Sequence, residues 1–243
     1  CEVYVAPSGH RDKNSADKNF HLTLLARNEE GYHNLIELCT KAHLEGFYYK
    51  PRVDKELLIQ HHQGLIALSG CIKGEVGQLI LEGRHREAKE VALWYRDVFG
   101  DYYLELMRHP IPELERVNPQ LISLGNELNI PLVATNDVHY TSKEDAFSQG
   151  LLLCIQTNSS INDEKRMKMP SDTFYLRSPE EMADLFSDLP QALENTERIA
   201  QMCNLSLEFG RLHLPKAETP SGEDTDEYLA ELCWRGLKSR YPH

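Results

Sequence analysis

Apolar runs alternate with segments of helical spacing along most of the chain. Strands are predicted over residues 1–6, 19–27, 64–70, 101–107 and 131–136. Apolar positions recurring every three or four residues predict helices over 28–44, 54–62, 74–81, 85–99 and 111–128. Apolar strands separated by helices are typical of a parallel sheet covered by helices. The pattern therefore predicts a barrel-like or doubly wound α/β architecture.

The pattern changes from about residue 159 onward. A short strand is predicted over 173–176, followed by helices over 178–186 and 190–203, the first of them capped by Ser178. The polar stretch 215–223 contains Thr-Pro-Ser-Gly and predicts a domain boundary. We predict a first domain over 1–214 and, over 215–243, a linker and a helix that begins the next domain. Asp224 is interpreted as the N-cap of that helix.

Composition limits the function classes. The 243 residues, 41% of them hydrophobic, are enough for a sizeable core. The formal net charge of −12 argues against a surface built to neutralise phosphates, because non-specific affinity for nucleic acid comes largely from lysine and arginine. If the protein acts on nucleic acid, we expect another segment to hold it.

Cysteine usage and hydropathy indicate the compartment. The six cysteines lie far apart without a CxxC pair, which favours free thiols in a reducing cytoplasm over a disulfide framework or a zinc ribbon. No apolar run approaches the roughly 18 residues of a membrane span, and no signal peptide pattern is present. We therefore expect a cytoplasmic protein without a membrane partner. The sequence begins without Met and inside a strand pattern, which indicates a piece of a longer chain.

Candidate chemistry follows three of the predicted strands. Cys71 comes after 64–70, His109 after 101–107, and Asp137 and His139 after 131–136. In α/β folds functional residues gather beyond the carboxyl ends of the strands. If the chain stays extended past Asn136, Asp137 and His139 point the same way and offer two ligands to one cation.

Each of these residues also has a structural interpretation. Asp-x-His after a strand is often a cap or a hydrogen-bonded turn. Cys71 can be a small buried hydrophobe, and His109 a solvated loop histidine. His21 in strand 19–27 can be a buried histidine with a hydrogen-bonded neighbour, and Glu2 must be paired, metal-bound or neutral if it is buried. The serine-hydrolase, P-loop and dinucleotide motifs are absent.

A family resemblance rests on eight stretches in the same order. They are CEVYVA (1–6), FHLTLLARNEEGYHNL (20–35), GFYYKPRVD (46–54), LSGCIKGEV (68–76), YYLELMRH (102–109), VATNDVHY (133–140), FYLRSPEEM (174–182) and TPSGEDTDEYL (219–229). Together they resemble the PHP (polymerase and histidinol phosphatase) domain of the alpha subunits of bacterial replicative DNA polymerase III. The resemblance implies a distorted seven-stranded α/β barrel, with 215–243 leading toward a polymerase palm.

The resemblance also implies a site. Such domains hold up to three ions of zinc, manganese or iron, and the matching ligands here are Glu2, His21, Cys71, Asp137 and His139. His109 is a weaker candidate, for proton transfer. The family's first strand carries an HxH motif that has no counterpart here, so we expect missing strands and about half of the ligands. His21 lies at the beginning of its predicted strand, where a ligand is not expected.

The function implied by the resemblance is template-directed DNA synthesis in replication. The polymerase site, with its Mg²⁺, is expected beyond residue 243, and the PHP domain is expected to be a proofreading 3′–5′ exonuclease or a structural platform. Implied partners are primer-template DNA, a separate proofreading exonuclease subunit and the sliding clamp. The alternative is a free-standing phosphoesterase of the histidinol-phosphatase type, which the linker and last helix disfavour.

Overall fold

The chain forms two compact units in a computed structural model that describes residues 1–13, 18–212, 214–215 and 217–241. The units are Cys1–Ser206 and Leu207–His243. The assignment of 1–214 to a PHP domain and of 215–243 to a polymerase lead-in stays a prediction. Within the described ranges, no helix has the length and apolar character needed to cross a bilayer. The six cysteines are free thiols, as predicted.

Most predicted elements are present. The strands are β1 (Glu2–Val5), β2 (Phe20–Ala26), β3 (Arg52–Val53), β4 (Leu65–Leu68), β5 (Tyr102–Met107) and β6 (Leu132–Thr135). The helices are α1 (Glu29–Leu44), α2 (Lys55–Gln60), α3 (Glu75–Leu81), α4 (His85–Phe99), α5 (Pro112–Leu128), α6 (Ala146–Gln156), α7 (Pro179–Leu185), α8 (Pro190–Met202) and α9 (Thr225–Arg240). A short 3-10 helix, Lys143–Asp145, precedes α6.

Two details differ from the prediction. The two-residue strand β3 was not predicted, because two residues carry no periodicity. The predicted strand over 173–176 is wrong, since Tyr175 forms only an isolated bridge with Tyr140. The interpretation of Asp224 as an N-cap is confirmed, because its side chain accepts hydrogen bonds from the amides of Asp226 and Glu227.

The strands form one six-stranded sheet in the order β3-β1-β2-β4-β5-β6. The pairs β1·β3, β4·β5 and β5·β6 are parallel, but β2 is antiparallel to both β1 and β4. The prediction of a parallel sheet is therefore wrong for β2. A parallel pairing requires a crossover connection, usually a helix, and the described residues between β1 and β2 contain none.

The mixed α/β fold agrees with a PHP-type barrel-like architecture from which strands are missing. The described residues contribute six strands, and β3 and β6 stand at the two ends of the strand order. The core lies between the sheet and the helices. All four residues of β4 are buried, and so are Ala88, Ala92, Tyr95 and Phe99 on one face of α4. Burying each large apolar side chain contributes about 1.5–3 kcal/mol.

Candidate metal centre

All six predicted site residues line one cavity of about 420 Å³ at the edge of the sheet where β4, β5 and β6 end. They are Glu2, His21, Cys71, His109, Asp137 and His139. Residues far apart in sequence thus line the same cavity because neighbouring strands end together. The structure brings together the residues that the sequence pattern and the family resemblance selected separately.

The reversed direction of β2 explains the position of His21. Thr23 pairs with Leu68, so the beginning of β2 lies beside the residues that follow β4. Gly70 makes this approach possible, since a Cβ atom there would lie 2.6 Å from the His21 carbonyl oxygen and its φ is +78°. His21 therefore reaches the carboxyl-end edge of the sheet although it is near the start of its own strand.

Glu2, His21 and Cys71 form one group of donors. The Nδ1 atom of His21 lies 3.2 Å from Oε1 of Glu2 and 3.7 Å from Sγ of Cys71. Burial favours the neutral ring, but the hydrogen bonds with Cys71 and Glu2 outweigh it and raise the pKa of His21 to about 9. The hydrogen bond from His21 lowers the pKa of Glu2. In the metal-free protein, the positive charge of the His21 imidazolium attracts Glu2 and Cys71 and keeps the three side chains in contact.

Asp137 and His139 form a second group. The condition of an extended chain past Asn136 is not met, because Asp137 has a left-handed backbone with φ +46°. The turn nevertheless places Nε2 of His139 3.4 Å from Oδ1 of Asp137. The amide of His139 donates to the Phe174 carbonyl at 2.8 Å, which fixes the backbone of the turn. Both side chains remain partly exposed to the cavity, His139 at 43% and Asp137 at 34%.

His109 lines the cavity with both ring nitrogens engaged. Nε2 lies 3.1 Å from the Asn136 carbonyl and Nδ1 lies 2.8 Å from Oγ1 of Thr173. Burial lowers the pKa of His109, so the neutral ring donates from Nε2 to the carbonyl and accepts the threonine hydroxyl at Nδ1. The ring also stacks on Phe174 at 4.1 Å between centroids. This geometry anchors the turn before Asp137, and a role in proton transfer stays a prediction.

The sequence reasoning missed Glu105. This carboxylate lies in the middle of β5 and is buried. It accepts hydrogen bonds from the Gly70 amide at 3.0 Å and from the Thr135 hydroxyl at 2.7 Å. Burial raises the pKa of Glu105 to about 7 despite these bonds. The signal was available, since the single carboxylate in the apolar run YYLELM (102–107) must be paired or neutral if it is buried.

The donor types suit a divalent metal ion, although they do not form one closed site. Carboxylate, imidazole and thiolate are ligands of zinc, and nitrogen and oxygen donors also serve manganese and iron. Among the side chains that the structure describes, no three His, Cys, Asp or Glu residues are grouped as ligands of a single ion. The cavity instead offers two partial sets of ligands, Glu2 with His21 and Cys71, and Asp137 with His139.

Comparison with known proteins identifies the first half of the chain. Residues 1–109 match the model of the PHP domain. This segment belongs to the PHP domain family. It contains Glu2, His21, Cys71 and His109, whereas Asp137 and His139 lie beyond it. The PHP segment therefore supplies the first donor group, and the strand after it supplies the second.

Similarity to curated proteins covers nearly the whole chain. The chain is 47% identical over 247 residues to the DNA polymerase III subunit alpha of Treponema pallidum (strain Nichols) and 46% identical over 246 residues to that of Borreliella burgdorferi. It is 43% identical to that of Deinococcus radiodurans over 257 residues. Each match covers 99% of this chain but only 19–21% of the relative. The chain thus spans about a fifth of the length of these relatives.

Proposed function

We propose that this chain is part of the alpha subunit of a bacterial DNA polymerase III and serves chromosome replication in the cytoplasm. The supporting observation is the similarity over 99% of the chain to proteins of that name. Nucleotide addition with Mg²⁺, and binding of primer-template DNA, the sliding clamp and a proofreading exonuclease subunit, belong to the rest of the protein in this proposal. The net charge of −12 agrees with DNA being held elsewhere.

Within that protein, we propose that the cavity binds divalent metal ions of zinc, manganese or iron. The observation that carries this proposal is the convergence of Glu2, His21, Cys71, Asp137 and His139 on one cavity. Glu2, His21 and Cys71 would supply one partial set of ligands, and Asp137 and His139 would supply the other. An ion held there supplies Lewis-acid activation of water and of a phosphate group.

The reaction that fits this site is hydrolysis of a phosphodiester bond at a DNA 3′ end. Lys73 and Lys168 also line the cavity and bring positive charge close to the carboxylates of Glu2 and Asp137. Their ammonium groups would attract the phosphate, while Asp137 and His139 are exposed enough to contact a reacting group. The proposed activity is a 3′–5′ exonuclease that proofreads newly synthesised DNA.

A structural platform for the polymerase is the second candidate. Two observations favour it: both ring nitrogens of His109 are engaged, and the described donors form only partial ligand sets. A free-standing phosphoesterase is the weaker alternative, because similarity to the polymerase subunits includes nearly all of this chain.

Manganese-dependent nuclease activity separates these roles. The full-length protein is incubated with a 3′-labelled primer, alongside an Asp137→Ala variant and an Asp184→Ala control that changes an exposed carboxylate on α7. A catalytic site predicts that Asp137→Ala loses nuclease activity while polymerase activity and folding are kept. Bound metal without nuclease activity in the wild type indicates the platform. Absence of bound metal in the purified wild type contradicts the metal proposal.

A further inference from the structure

Glu105 lies behind the cavity and differs from the carboxylates that line it, Glu2 and Asp137, because protein donors occupy both of its oxygens. Oε2 accepts the Gly70 amide at 3.0 Å and Oε1 accepts the Thr135 hydroxyl at 2.7 Å. Its side chain and Gly70 are buried, so the Gly70 amide has no ready access to water if the carboxylate is removed. The group is therefore part of the scaffold behind the site, not of its open wall.

The two donors belong to the strands on either side of β5. Gly70 follows β4 and is adjacent to Cys71, whereas Thr135 ends β6 two residues before Asp137. A third bond reinforces the first, because the amide of Glu105 donates to Oγ of Ser69 at 2.8 Å. One side chain in β5 thus joins the turn after β4, which carries Cys71, to the turn after β6, which carries Asp137 and His139.

We propose that Glu105 is a positioning residue that fixes the turns after β4 and β6, and thereby sets the positions of Cys71 and Asp137 relative to each other. The structural part of this inference stands on the hydrogen bonds alone. Its consequence for metal binding rests on the proposed function. The turn after β4 requires glycine at position 70, because its positive φ and its contact with His21 leave no room for a side chain.

Hydrogen exchange tests the structural part in the full-length protein without metal. Glu105→Met keeps the length of the side chain but removes both acceptors, so amides in 69–74 and 134–139 are expected to exchange at least about 10-fold faster. Glu105→Gln can accept from the Gly70 amide and donate to the Thr135 hydroxyl, so it is expected to restore most of the protection. The control is Glu75→Met, since Glu75 is another well-shielded carboxylate, bonded to Lys55 and Tyr95 away from this cavity.

Two milder substitutions, both at Thr135, test the proposal if Glu105→Met does not fold. Thr135→Val removes only the hydroxyl donor and is expected to accelerate exchange in 134–139, whereas Thr135→Ser keeps the donor and is expected to behave like wild type. Unchanged exchange in the folded Glu105→Met or Thr135→Val variants would overturn the proposal. Acceleration spread evenly over the whole sheet would also overturn it, because that result indicates general destabilisation.

Cobalt(II) binding tests the consequence for the site. Glu105→Met is expected to weaken Co²⁺ affinity by about 10-fold or more and to reduce the absorption of the cobalt–thiolate bond, with Glu105→Gln close to wild type. Equal affinity and equal absorption in Glu105→Met contradict a role in ligand placement. If wild-type protein binds no Co²⁺, the proposed metal function fails instead, and the exchange measurement alone decides whether Glu105 positions the turns.

Discussion

Two histidine–aspartate pairs in this chain have the same chemistry and opposite surroundings. His10 Nδ1 lies 2.5 Å from Oδ2 of Asp54, and both residues are buried. His139 Nε2 lies 3.4 Å from Oδ1 of Asp137, and both side chains are partly exposed to the cavity. The two pairs show that residue type alone does not distinguish a structural pair from a candidate ligand pair.

The difference lies in how the carboxylate oxygens are used. Oδ2 of Asp54 also accepts the His10 amide at 2.8 Å, while Oδ1 accepts the Leu57 amide and caps α2. The buried guanidinium of Arg52 closes the cluster by donating to the His10 carbonyl at 2.9 Å. Asp54 is therefore saturated by its own fold. Asp137 faces open space beside other donor groups, which is what a ligand requires.

Removing the carboxylate of the structural pair is expected to have the largest effect on the fold. Asp54→Ala removes a helix cap and the bonds to His10, so unfolding in urea should require about 3 kcal/mol less free energy. Metal affinity should stay at the wild-type value, because Asp54 does not line the cavity. Loss of metal binding in a folded Asp54→Ala protein would contradict the separation of the two pairs.

Removing the charge of the carboxylate in the cavity pair is expected to weaken metal binding with little effect on the stability of the fold. Asp137→Asn removes a charged ligand, so zinc affinity measured by competition with a chromophoric chelator should fall about 100-fold, equivalent to about 2.7 kcal/mol. Stability of the metal-free protein should change by less than about 1 kcal/mol, because the side-chain pair is partly solvated. A large loss of stability with unchanged affinity would reverse the assignments.

The titration of His21 gives the cavity a pH dependence. The pKa of His21 is raised to about 9, so its ion pair with Glu2 stabilises the metal-free fold fully below about pH 6.5. That stabilisation is lost as the pH rises toward 9. We expect it to amount to about 1–2 kcal/mol, since the exposed part of Glu2 is screened by water.

Urea unfolding at pH 6 and pH 9.5, with a chelator present, measures this contribution as the difference between wild type and His21→Gln. The other titrating groups are common to both proteins, so their contributions to the free energy of unfolding cancel in this difference. An equal pH response in the two proteins would show that the Glu2–His21 pair carries no net charge interaction.

The smallest effect on stability is expected for the exposed ion pair that lies next to the buried His10–Asp54 pair. Arg11 pairs with Glu45 at the surface, and the Arg11 side chain is 72% exposed. Exposed ion pairs contribute little because water and salt screen them. Arg11→Ala should leave the melting temperature unchanged within error. A clear decrease would show that the Arg11–Glu45 ion pair also stabilises the cluster of His10, Arg52 and Asp54.

Much of the fold follows from the sequence because periodicity reports local burial. The predicted helix over 85–99 matches α4 residue for residue, since Ala88, Ala92, Tyr95 and Phe99 form one apolar face. The direction of β2 could not be predicted in this way, because strand direction depends on the path of the chain and not on the pattern of the strand. That direction is what brings His21 to the site.

Only part of the candidate site could be predicted from the sequence in this way. The pairing of Asp137 with His139 was expected from an extended strand, but a left-handed residue produces it instead. Periodicity carries no information about such a turn. Glu105 gave a readable signal as a carboxylate in an apolar strand, yet its two partners, Gly70 and Thr135, become visible only when neighbouring strands are aligned.

Cobalt(II) titration of the full-length protein, followed by absorption of the cobalt–thiolate bond, tests the central claim most directly. The account predicts saturable binding with a thiolate band that disappears in Cys71→Ser and persists in Cys203→Ser, which changes another partly buried free thiol. Asp137→Asn should weaken binding as well. A protein that binds no cobalt, or a thiolate band unaffected by Cys71→Ser, would contradict a metal centre in this cavity.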